Sequence, residues 1–89
     1  MSSKTEGRLR RKKGDALNLK ETKRTIGARI ADIRESQGIS QRQFSLMIEL
    51  DRVTLSRIEN GIGNPTIETL QRIADGLGID IADFMAVKG

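Results

Sequence analysis

Apolar residues recur at helical spacing in successive windows along the chain, and residues suited to helix ends separate the windows. Ile26, Ile30 and Ile33 share one face, with Arg29, Asp32 and Arg34 on others and Gly38 as a natural stop. The spacing predicts a first helix from near Thr25, although Asn18 with Glu21 three residues on can cap an N-terminal extension. Ser40 followed by Gln43 is a capping box, so a second helix runs from about Gln41 to Ile48 with Phe44 and Ile48 inward. Leu50 falls in a tight connection. Asp51 then caps a third helix from Arg52 to about Asn60, closed by Gly61 and Gly63.

Pro65 disfavours helix at the residue before it, and Thr66 can cap a fourth helix whose apolar stripe is Ile67, Leu70, Ile73, Ala74 and Leu77. Gly78 closes it. A short fifth turn runs from Asp80 through Phe84, with Asp83 three residues after Asp80. No segment alternates as a strand does, and no internal repeat is visible. The expectation is an all-α, five-helix bundle.

The third helix has two unlike faces. At about 100° per residue, Leu55 and Ile58 share one side, while Val53, Ser56, Arg57 and Asn60 cluster opposite, with Arg52 at the N-terminal end. An apolar stripe clamps such a helix to its scaffold, and a polar stripe is free to enter the major groove of DNA.

Composition narrows the chemistry. In 89 residues, 36% hydrophobic, there is room for one domain with a modest core, built mainly from Ile and Leu because Phe44 and Phe84 are the only aromatics. Cys and His are absent, which removes disulfides, thiolate nucleophiles, most zinc sites and the usual general base. The carboxylates are accounted for as caps, ion pairs and solvated faces, and Gly61-Ile62-Gly63 follows no strand, so it is no phosphate loop. No catalytic constellation, metal site, cofactor or small-molecule ligand is expected. Neither an apolar leader core nor a run of ~18 apolar residues is present. A cytoplasmic protein without membrane attachment is expected.

The net charge of +4 is unevenly placed. Residues 1–24 carry nine basic and three acidic side chains, a net of +6, whereas residues 25–89 carry seven against nine, a net of −2. The first stretch cannot bury enough surface to offset its ordering entropy, and is expected to be a basic, disordered tail ahead of a domain spanning 25–89. Two roles are open for its centre, Arg10, Arg11, Lys12 and Lys13: a solvated aid to solubility, or an arm that tracks DNA phosphates and releases counterions.

In the order Ser40-Gln41-Arg42-Gln43-Phe44-Ser45, Glu49-Leu50-Asp51, Leu55-Ser56-Arg57-Ile58-Glu59-Asn60-Gly61 and Asn64-Pro65-Thr66, the chain resembles the Cro/repressor helix-turn-helix family. The resemblance runs from about Ile26 to Phe84 and implies a lambda-repressor-like bundle that binds double-stranded DNA. It implies base reading by Arg52, Val53 and Arg57, with Ser56 beside them. Phosphate contact is implied for Gln41, aided by the positive end of its helix, and for Arg42, Thr54 and Asn60. Arg34 and Glu59 match the family's structural ion pair. Two positions depart from the pattern. Glu49 stands at the turn position usually held by Gly, where positive φ would cost order ~1 kcal/mol or more, and Ser45 replaces a small residue that is commonly Ala.

The function expected is a sequence-specific transcriptional regulator, a repressor acting as a homodimer on a near-palindromic operator. Two recognition helices about 34 Å apart would enter successive major grooves. The alternative is an antitoxin or adaptor that grips a protein partner and touches DNA only for autoregulation. Phe84, Met85 and Val87 either form an apolar dimer patch or divide, with Phe84 closing the core.

Overall fold

The computed structural model describes residues 18–85. Among these are five helices and no strand: α1 Leu19–Ser36, α2 Gln41–Met47, α3 Arg52–Glu59, α4 Ile67–Leu77 and α5 Ala82–Met85. The cluster Arg10, Arg11, Lys12 and Lys13, the side chain of Met85 and all of Val87 lie outside the described residues. Helix α1 packs against α3, α4 and α5, and α2 packs against α3.

Helix α1 begins at Leu19, six residues ahead of Thr25, so residues 19–24, expected to belong to the tail, are helical. The alternative start is the correct one, though not by the expected cap. The Asn18 side chain makes no capping bond, and its carbonyl accepts from Thr22 N at 2.9 Å. Glu21 suits the positive helix end, and the second turn, at Lys23, Arg24 and Ile26, rests against the segment after α3. A Cβ on Gly61 would lie 2.8 Å from Arg24 Cα, and Lys23 and Ile26 share a small cavity with Ile58, Ile62, Pro65 and Leu70. Apolar burial between distant segments thus extends the helix.

The remaining ends follow their caps. Ser40 and Gln43 make both bonds of the capping box, at 3.0 and 2.9 Å. The Asp51 carboxylate accepts from Thr54 N at 3.1 Å, and Thr66 Oγ1 from Thr69 N at 3.1 Å. Asp83 accepts from Asp80 N at 3.1 Å, fixing the turn into α5. Ile30, Phe44, Leu55, Ile73, Ala74 and Phe84 are fully buried in one core, with Ile26, Ile33 and Leu50 packed at its edge.

One expectation about a face is corrected, and one open alternative is decided. Ile67 lies outside the apolar stripe of α4 and is 65% exposed, because it occupies the first turn, where the helix projects past the core. Phe84 is 0% exposed, so it closes the core and offers nothing to a dimer patch.

Turn and crossing geometry place α3. Glu49 adopts φ 53°, as its position in the turn requires, and the Leu50 amide bonds back to Ser45 O at 2.9 Å. Ser45 is buried, and its hydroxyl donates to Arg42 O at 2.9 Å, so the replacement of Ala leaves no polar atom stranded. Gly27 lets α1 meet the end of α3: a Cβ there would collide with the carbonyl oxygen of Ile58 and sit 2.7 Å from that of Glu59.

The strain at Glu49 is measurable. Left-handed backbone costs a residue with a Cβ about 1–2 kcal/mol, while glycine gives back part of that through the entropy of the unfolded chain. Glu49→Gly is expected to raise stability by roughly 0.5–1 kcal/mol, a gain of a few degrees in Tm for a domain of this size. An unchanged or lower Tm by calorimetry would show that the turn carries no such strain.

Candidate nucleic-acid interface

Helix α3 stands on the scaffold by its inner face, where Leu55, Ile58 and Glu59 are buried, and presents the opposite face outward. Val53 is 65% exposed, a position no apolar side chain takes for packing within this chain. Gln41 from α2 joins Arg52, Val53, Ser56 and Arg57 from α3 around an open hollow of about 230 Å³. All the residues expected to read bases, and one expected to hold a phosphate, therefore converge on one surface. Arg57 also borders a second hollow of about 220 Å³ with Thr54, Asn64, Pro65, Thr66 and Thr69.

The other candidates differ in their freedom. Arg42 and Asn60 are exposed but line neither hollow. The Asn60 amide folds back on its own helix, donating to Ser56 O at 2.8 Å, and the Thr54 hydroxyl donates to Asp51 at 3.3 Å. Among the described residues, Arg42, Arg52 and Arg57 have no ion-pair partner. Their guanidinium groups are open to phosphate or to a base edge that accepts two hydrogen bonds.

Arg34 and Glu59 join α1 to the end of α3. Arg34 Nε donates to Glu59 Oε2 at 2.7 Å and Nη2 to Oε1 at 3.0 Å, with the two side chains 7% and 5% exposed. A third bond, from Nη1 to Ile39 O at 2.6 Å, ties in the segment ahead of α2. The Glu59 hydrogen bond and the nearby carboxylates of Glu59 and Glu35 raise the Arg34 pKa against the lowering effect of burial, so the guanidinium keeps its charge. Gln41 reaches this pair as well, with Nε2 donating to Glu59 Oε1 at 2.9 Å. That bond was not legible in the sequence, because it spans 18 residues and two helices. Asn64, Thr66 and Thr69 were also missed as surface candidates, since Asn64-Pro65-Thr66 was read only as the lead-in to α4.

The helix-turn-helix profile (HTH_3) matches residues 30–84, most of the chain and the whole of this surface. This chain belongs to the helix-turn-helix family of the Cro and repressor type. It is 33% identical over 69 residues to the control protein C.MunI of Mycoplasma sp., covering 76% of this chain and 93% of that protein. The immunity repressor of Bacillus phage phi105 is 36% identical over 58 residues, 65% of this chain and 40% of that protein. The PuuR transcriptional regulator of Escherichia coli is 33% identical over 60 residues, 67% of this chain and 32% of PuuR, so the chain spans about a third of that longer relative. Among solved structures, an HTH_3 family transcriptional regulator from Vibrio cholerae matches with TM-score 0.71 and 31% identity, covering 76% of this chain and 38% of that one. The restriction-modification controller C.AhdI from Aeromonas hydrophila shares the fold, with TM-score 0.67 at 24% identity over 68% of this chain and 92% of that one.

This helix-turn-helix protein is thus a DNA-binding regulator of transcription, not an enzyme. No described helix is long and apolar enough to cross a membrane, and no described cluster of acidic residues is arranged to hold a metal.

The buried pair gives a stability prediction with an internal control. Glu59→Ala leaves the buried Arg34 with only the long ion-pair contact to the exposed Glu35 carboxylate and is expected to cost about 3–5 kcal/mol. Glu35→Ala removes a carboxylate that is 66% exposed and 3.5 Å from the same guanidinium, and is expected to cost under about 1 kcal/mol. Denaturant unfolding of both variants checks this, and equal midpoints would contradict the burial of the pair.

Proposed function

We propose that this helix-turn-helix protein is a transcriptional repressor that binds a near-palindromic operator as a homodimer, with α3 in the major groove. The convergence of Gln41, Arg52, Val53, Ser56 and Arg57 on one open hollow carries the reading. A guanidinium can hold guanine O6 and N7 together, and Val53 can pack on a thymine methyl group, so these side chains suit base edges. Ser56 sits among them. Gln41, Arg42, Thr54 and Asn60 contact phosphates and set the register of the helix on the duplex, and Arg10, Arg11, Lys12 and Lys13 add contacts that depend on salt rather than sequence. Similarity to a control protein and to a phage immunity repressor favours repression over activation.

Selection of bound duplexes from a random library tests the reading. The expected product is an inverted repeat whose half-sites are about 10 base pairs apart, centre to centre. Arg52→Ala and Arg57→Ala should each cost roughly 1–3 kcal/mol and relax preference at particular base pairs. A pool with no enriched sequence would point instead to an adaptor that grips a protein partner.

Two copies are needed because one short helix reads only a few base pairs. Sedimentation of the selected complex should give two protein chains per duplex at saturation. One chain per intact operator would refute the dimeric mechanism.

A further inference from the structure

The carboxylate of Glu59 faces two ways. On its inner side it takes both bonds from Arg34, and on its outer side Oε1 takes the Gln41 amide at 2.9 Å. Gln41 is half-buried at the start of α2 and lines the same hollow as Arg52 and Arg57. A glutamine amide carries two N–H donors, and the bond to Glu59 uses one. A free glutamine at a surface samples many rotamers, and most of them would aim the second donor away from a bound duplex. An ionised carboxylate beside a phosphate would ordinarily repel it. Here the Arg34 guanidinium neutralises the charge from behind, so a buried acid can stand next to an anion-binding surface at little electrostatic cost.

We infer that Glu59 is a positioning residue for DNA binding, whose carboxylate, neutralised by Arg34, holds the Gln41 side chain so that its remaining N–H meets a backbone phosphate. The inference rests on the reading of Gln41 as a phosphate contact. It gives the ion pair a task beyond architecture: the bonds that seat α3 on α1 also orient a contact carried by α2.

A double-mutant cycle in the full chain tests this, measured on the selected operator and on an unrelated duplex with folded fraction checked by circular dichroism. Gln41→Ala is expected to weaken binding about tenfold on both duplexes, the loss of one hydrogen bond to a charged group. In a Glu59→Met background, which offers neither charge nor acceptor oxygen, the same substitution is expected to cost less than about twofold, because the side chain is no longer held. Both proteins compared in that background lack the Glu59 charge, so its loss cancels. A tenfold loss in both backgrounds would overturn the positioning role while leaving the phosphate contact standing. No loss on replacing Gln41 in the wild type would remove the contact itself, and the positioning role with it. Should Glu59→Met fail to fold, the side-chain amide of Gln41 in the unmodified protein decides by nuclear magnetic resonance. One proton shifted downfield and slowed in exchange supports the inference, and two fast-exchanging protons with averaged shifts overturn it.

Discussion

Arg34 is the point through which the helix-turn-helix unit is joined to the rest of the bundle. Its three donors reach Glu59 at the end of α3 and Ile39 in the segment before α2, so one side chain fixes both reading elements to α1. Burying two charges costs several kcal/mol of lost hydration for each ion before their attraction offsets it, and packed hydrocarbons of equal volume are often as stable. What hydrocarbons lack is direction. A bidentate guanidinium–carboxylate pair tolerates little rotation or sliding, so α3 is held in one register against α1.

The rest of the scaffold cooperates with this one contact. Arg34 can reach Glu59 squarely because Gly27, two helical turns earlier, lets the backbone of α1 rest against the carbonyls of Ile58 and Glu59. Leu55 and Ile58 supply the apolar burial on the same side of α3, and the Glu49 turn sets where that helix begins. The strain accepted at Glu49 is small beside the burial it permits, since Phe44, Leu55 and Ile58 all reach the core only if α2 and α3 meet across that turn.

Features written in neighbouring residues were legible in the sequence. The caps at Ser40, Asp51 and Thr66 each depend on a few adjacent positions, and each stands where the pattern placed it. The positive φ at Glu49 followed instead from the resemblance, which puts a glycine at that turn. The two faces of α3 follow from helical period alone. The start of α1 did not yield to the same reasoning, because contact between Arg24 and Gly61, 37 residues apart, supports helix ahead of Thr25 where caps alone leave the start undecided. Ile67 misled for a related reason: period assigns a residue to a stripe, but only the length of the core decides whether the stripe is covered there. The bond from Gln41 to Glu59 has no signature in either residue, since glutamine at a helix start and glutamate at a helix end are ordinary by themselves.

Charge placement resolves an apparent conflict between a slightly acidic domain and a polyanionic ligand. At physiological ionic strength, fields between exposed charges fade over about 8 Å, so the sum over residues 25–89 matters less than which charges face the duplex. Several carboxylates are already engaged within the fold: Asp51 and Asp83 cap helices, Asp75 accepts from Gln71, and Glu59 is neutralised by Arg34. Arg42, Arg52 and Arg57 are the contrasting set, exposed and without ion-pair partners among the described residues. A domain can therefore be acidic in total and cationic on the face proposed to read DNA. Within the domain, weak background charge leaves more of the binding free energy to contacts that distinguish one base pair from another, while the proposed contacts of the basic tail supply attraction that is blind to sequence.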